Sequence, residues 1–397
     1  MFRLILDNQR VRRTDLGENS RVPCLDGLRA VAIILVISNH LVHSSDMWIF
    51  NNPLSFVFSN GVLGVFLFFV VSGFIITRML IAEHEEYGEI RIGAFYWRRA
   101  LRIVPVLYVY ILSVVLLEPY TGIGVSAGSI VSAATFLQNV SPWADAWPFE
   151  HVWSLSVEEQ FYLLWPLALS AALRRGRGTA ILLAIVLIAV ATASRMGLFV
   201  FAHGSFLERR VGVLSICRMD ALMFGCLAAL TMGMPLFERV YRWATRAVWL
   251  LPVVPVLVSG LLAGAFGNYY TLSVGQAVDG ACIVFYMTWL LRNPESRAHA
   301  ILNGRIMVHI GLVSYSLYIW QTYFLHRLND GWSGSFPVNL LVILLLAEAS
   351  YWGIERPVRA LRLRIENARG RTVLSTLTLA PSPRPVNSGR SRSPGSR

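Results

Sequence analysis

The chain is built from long apolar runs separated by short polar breaks. Runs of about the 20 residues that cross a bilayer lie near residues 25–44, 58–80, 100–118, 153–173, 179–201, 211–232, 247–266, 272–291, 306–326 and 337–355. Each predicts a membrane helix. A further stretch, GSIVSAATFLQNV from Gly128 to Val140, is only marginally long enough. The polar breaks decide how to count it. With ten crossings and 119–152 outside, the inner loops hold Arg78, Arg91, Arg98 and Arg99, then Arg174, Arg175 and Arg177, then Arg239, Arg242 and Arg246, then Arg292, Arg297 and Arg305. The outer loops are almost free of Arg, apart from Arg209, Arg210 and Arg327. Counting 128–140 as a crossing would put every later basic loop outside, against the positive-inside rule. The predicted fold is therefore all-α: a polytopic bundle of about ten transmembrane helices with one re-entrant or interfacial helix.

Composition agrees. At 397 residues, 55% hydrophobic, 15% charged and a mean hydropathy of +0.55, the chain is too apolar for an ordinary soluble domain. The net charge of +12 sits in loops and tail, the pattern of cytoplasmic segments rather than of a nucleic-acid surface. All 35 Lys-or-Arg positions are Arg, which reads as coding bias. Cys24, Cys217, Cys226 and Cys282 show no metal spacing and read as small core residues. No metal site, bound cofactor or nucleotide-binding glycine motif is expected.

The N-terminal RLILDNQRVRRTDLGENSR lacks the apolar core of a signal peptide, so the first span runs from inside to outside. From Val358 the chain turns Arg-, Ser- and Pro-rich, ending PSPRPVNSGRSRSPGSR, and is expected to be disordered and to lean on anionic lipid. The expected organisation is a cytoplasmic segment 1–22, a membrane domain 23–357 and a basic tail 358–397. The chain is expected in the inner (plasma) membrane, both termini cytoplasmic.

Several ionisable residues break the apolar runs, and such residues are costly inside a membrane and mark function by default. In LDGLRAVAIILVISNHLVH, Arg29 and His40 are eleven residues apart, about three turns and roughly 16 Å, so they share a helix face. Asp26 stands one turn before Arg29, placed to pair with it, and His43 about one turn beyond His40. Snorkelling of Arg29 and an interhelix hydrogen bond by His40 are the structural alternatives. GVFLFFVVSGFIIT places Ser72 and Gly73 where packing alone also explains small residues. In FYWRRALRIVPVLYVY, Arg98, Arg99 and Arg102 exceed what an inside anchor needs, and Arg102, one turn deeper, suits a phosphate.

EHVWSLSVEEQFYLLWP carries adjacent acids, Glu158 and Glu159. Neighbours on a helix do not share a face, so one is expected inside and the other at the interface. His151 is open between an ordinary loop residue and a site group. Arg218, Asp220, Asp279, Glu348 and Glu355 in later spans add to the implied polar cavity. Trp143, Trp147, Trp153 and Trp332 are open between stacking on sugar rings and anchoring at the interface.

Together LDGLRAVAIILVISNH, FFVVSGFIIT, RRALRIVPVLY, WSLSVEEQFYLLWP, RMDALMFG, VSYSLYIWQ and IERPVR resemble the ordered signature blocks of the acyltransferase-3 family over about residues 23–360. That family comprises integral membrane acyltransferases acting on bacterial glycans, nodulation factors and macrolides. The resemblance implies a catalytic His40 with Glu158 as the acid of the WSLxxE block. It implies acyl-coenzyme A held by Arg29, Arg98, Arg99 and Arg102 with Ser72 and Gly73, and acceptor contacts from Trp153, Arg218, Asp220 and Tyr315. Gln321 stands where many members have His, and the tail stands where some members carry an SGNH-type domain, so help from either is not expected.

The expected function is O-acyl transfer, most simply of acetyl, from cytoplasmic acyl-coenzyme A to a hydroxyl of a carbohydrate or glycolipid. His40 would act as base or transient acyl carrier. The expected partners are acyl-coenzyme A as co-substrate, the glycan acceptor and membrane lipid, with no nucleic acid. A transporter or flippase would also need buried charges, but no inverted repeat of them is visible.

Overall fold

The computed structural model describes residues 22, 24–44, 59–202, 205–326, 328–329 and 331–366, without the side chains of residues 43–44, 208–209 and 332. His43, Arg209, Arg327, the side chain of Trp332, the segment 1–21 and the tail from 367 lie outside the described residues.

Every apolar run is helical. The principal elements are α1 (Leu25–Ser44), α2 (Gly61–Tyr87), α3 (Ile92–Thr121), α4 (Ala127–Ala134), α5 (Val152–Arg175), α6 (Arg177–Phe201), α7 (Ser215–Thr231), α8 (Pro235–Ala244), α9 (Leu250–Phe266), α10 (Asn268–Arg292), α11 (Arg305–Leu325) and α12 (Val338–Glu366). No strand occurs among the described residues. Among the described residues six helices, α1, α2, α3, α6, α10 and α12, are long and apolar enough to cross a membrane, or seven if the bent pair α7–α8 counts as one. The expected count of about ten is thus larger than length and apolarity alone support.

The shortfall has a physical reason in two places. α5 carries Ser154, Ser156 and Ser170, and α11 carries Ser314, Ser316, Gln321 and Thr322, all buried in the bundle. Hydropathy counts polar residues whichever way they face. Opposite them Leu163, Leu164 and Leu167 of α5 stay exposed on the bundle surface, the disposition suited to lipid. α6 and α12 likewise turn Leu182, Ile185, Val186, Leu344 and Leu345 outward.

α4 has only eight residues, about 12 Å at 1.5 Å per residue, and so reaches less than half way through a bilayer core. It starts with Ser126 capping the Ser129 amide. Of the 128–140 stretch only the part up to Ala134 is helical, and turns follow it. The break at Met232–Met234 turns α8 by 116° from α7. Gly233 takes a positive φ of 91° there, and Pro235 starts the next helix. α8 exposes Arg239, Arg242 and Trp243, as suits an interfacial helix. The final helix runs on to Glu366, past the expected boundary at 357.

α7 packs on α2 and α6, α1 lies between α2 and α11, and α12 covers α11. Glycines permit this closeness. A Cβ at Gly73 would stand 2.0 Å from the Leu222 carbonyl oxygen of α7, and one at Gly225 2.0 Å from that of Val70. Cys24, Cys217 and Cys226 are buried, as small core residues.

Candidate active site

α1, α2, α3, α5 and α11 surround an internal cavity of about 90 Å³, walled by Ser72, Arg99, Ser154, Glu158 and Tyr318 among apolar side chains. A second cavity, of about 270 Å³, lies where α1 and α3 begin and α12 ends, walled by Asp26, Arg98, Glu355, Arg359 and Arg362. Arg29, Arg102 and Tyr315 line both, and so form the partition. Among the described residues, Arg29 meets Asp26 at 3.9 Å, while Arg102 has no carboxylate within 4.0 Å. Two guanidinium groups at one constriction, thinly neutralised, leave a strongly anion-seeking position. Tyr315 is held by donating its hydroxyl to the Ile103 carbonyl at 2.7 Å, which ties α11 to α3.

Deeper in, Arg99 organises the wall. Its guanidinium carbon lies 3.6 Å over the Tyr162 ring, and the same group reaches Glu158 at 3.8 Å and Glu159 at 3.9 Å. The expectation that one of the two acids faces the interface is corrected here. The planar fork of Arg spans successive helical positions, so both carboxylates turn toward it. Tyr162 donates to Glu158 and is hydrogen-bonded to Ser72. Ser154, Glu158 and Tyr162 stand four residues apart on α5, one polar stripe along one face.

The far end of the stripe is His151, just before α5. Its ring packs edge-on to Tyr110 and Tyr318, each 5.5 Å away, and it is 4% exposed. Tyr318 donates to the His151 carbonyl at 3.0 Å and is also hydrogen-bonded to Ser154. Burial, and then the nearby His40, push the His151 imidazole down to about 3, so it is neutral. Glu150 stands exposed beside it. A hydrogen bond to His326 at 3.2 Å, with further help from His40, holds its carboxyl below the usual range. Trp147 stacks on His326 at 4.7 Å. His40 is therefore close to Glu150 and His151 at this end, while Arg29 of the same helix lines the partition at the other.

The remaining expected site residues fall elsewhere. Arg98 faces the basic cavity and reaches Glu83 at 3.6 Å. Gly73 touches α7 backbone, a packing role. Trp153 sits edge-on to Phe69 and under Arg218, whose guanidinium is 5.6 Å from its ring. Asp220 pairs at 2.8 Å with Arg195, both fully buried, and Arg195 also donates to the Cys217 and Leu272 carbonyls. Neither Arg218 nor Asp220 lines the two cavities.

Glu159, Ser154, Tyr162 and Tyr318 were not anticipated as site residues, whereas Glu355, expected in a polar cavity, does line the basic one. For Ser154 and Tyr162 the signal was available: each stands four residues from Glu158. Arg195 was visible too, as a lone cation in an apolar run.

A family model described as an acyltransferase domain matches residues 22–352. The chain is 29% identical to the O-acetyltransferase OatA of Staphylococcus aureus, over 91% of this chain and 62% of that protein. It is 27% identical to the peptidoglycan O-acetyltransferase OatA of Listeria monocytogenes, over 88% of this chain and 57% of the relative. A putative O-acetyltransferase of S. aureus is also 27% identical, over 88% of this chain and 59% of its own length. The chain thus spans about six tenths of these curated relatives. No solved structure matches it. With a match from Val22 to Trp352, the protein belongs to the acyltransferase-3 family.

Proposed function

We propose that the protein is a membrane O-acyltransferase that moves an acetyl group from acyl-coenzyme A to a carbohydrate hydroxyl. The observation that carries this reading is the pair of cavities sharing Arg29, Arg102 and Tyr315. Phosphates are too polar to enter a bilayer, so the basic cavity is the natural stop for the coenzyme. Arg29, Arg98, Arg102, Arg359 and Arg362 supply guanidinium forks there. The uncharged thioester arm then passes the partition toward Arg99, Glu158 and Ser72. His40, at the other end of α1, serves as base for the acceptor hydroxyl or as first acceptor of the acyl group. In either case the thioester C–S bond breaks, a C–O bond forms on the acceptor, and the hydroxyl proton leaves with the coenzyme thiol.

In this reading all ten apolar helices cross the inner membrane, with the basic cavity, both termini and the α8 turn on the cytoplasmic side, where Arg-rich loops belong. The name of the Listeria relative, a peptidoglycan O-acetyltransferase, supports a peptidoglycan-type glycan acceptor. The test is transfer by protein in nanodiscs supplied with radiolabelled acetyl-coenzyme A and soluble peptidoglycan oligosaccharides. Base-labile label covalently on the sugar is expected. Label that crosses a vesicle membrane without bond formation would instead indicate a transporter.

A further inference from the structure

His151 is the most conspicuous polar group that this reading leaves without a task. It is 4% exposed, yet neither ring nitrogen has a hydrogen-bond partner. The Ile319 and Pro148 carbonyls are nearby, outside hydrogen-bonding geometry. A buried imidazole with no partner carries an uncompensated desolvation cost, and native proteins keep such groups mainly where a ligand or a mechanism uses them.

Its surroundings say what kind of use. Ser154 and Tyr318, whose hydroxyls bond to each other, line the inner cavity, and the Tyr318 ring also packs edge-on to His151. Beyond it is the exposed carboxylate of Glu150, clamped by His326, with the Trp147 ring stacked on His326. A carboxylate beside an aromatic ring is the standard chemistry for a sugar, which offers hydroxyls at its edge and C–H bonds on its face. A neutral imidazole adds one donor and one acceptor, matching a hydroxyl on both counts. The basic cavity and its guanidinium groups lie at the opposite end of α1 and α3, away from His151.

We infer that His151 is an acceptor-positioning residue: its ring nitrogens bind a carbohydrate hydroxyl and orient the sugar for attack beside His40, with Glu150 and Trp147 holding the same sugar. The inference rests on the O-acyl-transfer reading and adds the acceptor subsite to it.

The experiment uses full-length protein in nanodiscs and separates donor from acceptor steps. Acetyl-coenzyme A hydrolysis without acceptor reports the donor half. Transfer to soluble peptidoglycan oligosaccharides, at varied concentration, gives KM and kcat for the acceptor. His151→Phe keeps the aromatic packing and removes both nitrogens, while His151→Gln restores a donor and an acceptor. The expected result is donor hydrolysis within about twofold of wild type, an acceptor KM raised at least tenfold in His151→Phe, and partial recovery in His151→Gln. Loss of one hydrogen-bonded group that binds a hydroxyl supports that magnitude. Glu150→Gln is expected to raise the same KM and leave donor hydrolysis intact. An unchanged acceptor KM in His151→Phe would overturn the inference and leave a packing role. So would a fall in donor hydrolysis as deep as that of His40→Ala, which would put His151 in the donor half. If wild type neither hydrolyses the thioester nor acylates the sugar, the transferase reading fails first.

Discussion

The Arg99 guanidinium lies 3.6 Å over the ring of Tyr162 while reaching toward Glu158 and Glu159. One cation thus ties α3 to α5 by a face contact and two ion pairs, in the wall of the inner cavity. Arg99→Lys keeps the charge and loses the planar fork and the stacking. Transfer activity is expected to fall at least tenfold. The same change at Arg98, which faces Glu83 and the basic cavity, is expected to cost less than threefold. Steady-state rates of the two variants side by side check this; equal losses would contradict it.

Arg29 and Arg102 line both cavities. Each charge-assisted bond to a phosphate is worth about 1.5–3 kcal/mol, so Arg102→Ala is expected to raise KM for acetyl-coenzyme A by roughly ten- to a hundredfold. KM for the acceptor should not move. Raising the salt concentration should weaken donor binding in wild type more than in the variant, because one screened charge has gone.

Gly73 and Gly225 let α2 and α7 touch backbone to backbone. A methyl group 2.0 Å from a carbonyl oxygen forces the helices apart, at a cost of about 1–3 kcal/mol. Gly73→Ala is expected to lower the thermal midpoint in detergent while leaving the donor KM of the folded fraction unchanged. A raised donor KM at normal stability would restore Gly73 to the coenzyme site.

Asp145 and Glu150 both belong to the connection between α4 and α5, and both carboxyls are held below their usual range. Hydrogen bonds from Ser129 and Ser126 do this for Asp145, and the bond to His326 for Glu150. A carboxylate with a depressed folded-state pKa adds stability above its unfolded value, about 3.9 for Asp and 4.3 for Glu, and loses it as pH falls through the folded value. Amide-exchange protection over 135–151 should therefore hold from pH 7 to 5, after correction for intrinsic rates, and fall below about pH 4. Protection in α2 should not follow it. A loop whose protection is flat down to pH 3 would contradict the assignment.

Positions of the helices were legible because an unbroken apolar run of bilayer length admits little else than a helix. The α1 stripe was legible for the same local reason: Arg29 and His40 share a face by spacing alone, and Asp26 does pair with Arg29. Partners contributed by helices distant in the chain were not. Asp220 carried the look of a substrate contact until Arg195, from the preceding span, was seen to occupy it. One of Glu158 and Glu159 was expected at the interface because helical spacing says where a side chain starts, and not how far a long cation on α3 reaches to meet both. The membrane-crossing status of α5 and α11 is blurred by the very polar residues that build the cavity.

In the proposed mechanism the acyl chemistry belongs to His40. Purified protein in nanodiscs is incubated with radiolabelled acetyl-coenzyme A alone, wild type beside His40→Ala, and both protein-bound label and thioester hydrolysis are followed. Turnover is expected from wild type, through an acid-labile label or through slow hydrolysis, and neither from His40→Ala. A His40→Ala protein that turns over the thioester at the wild-type rate would contradict it.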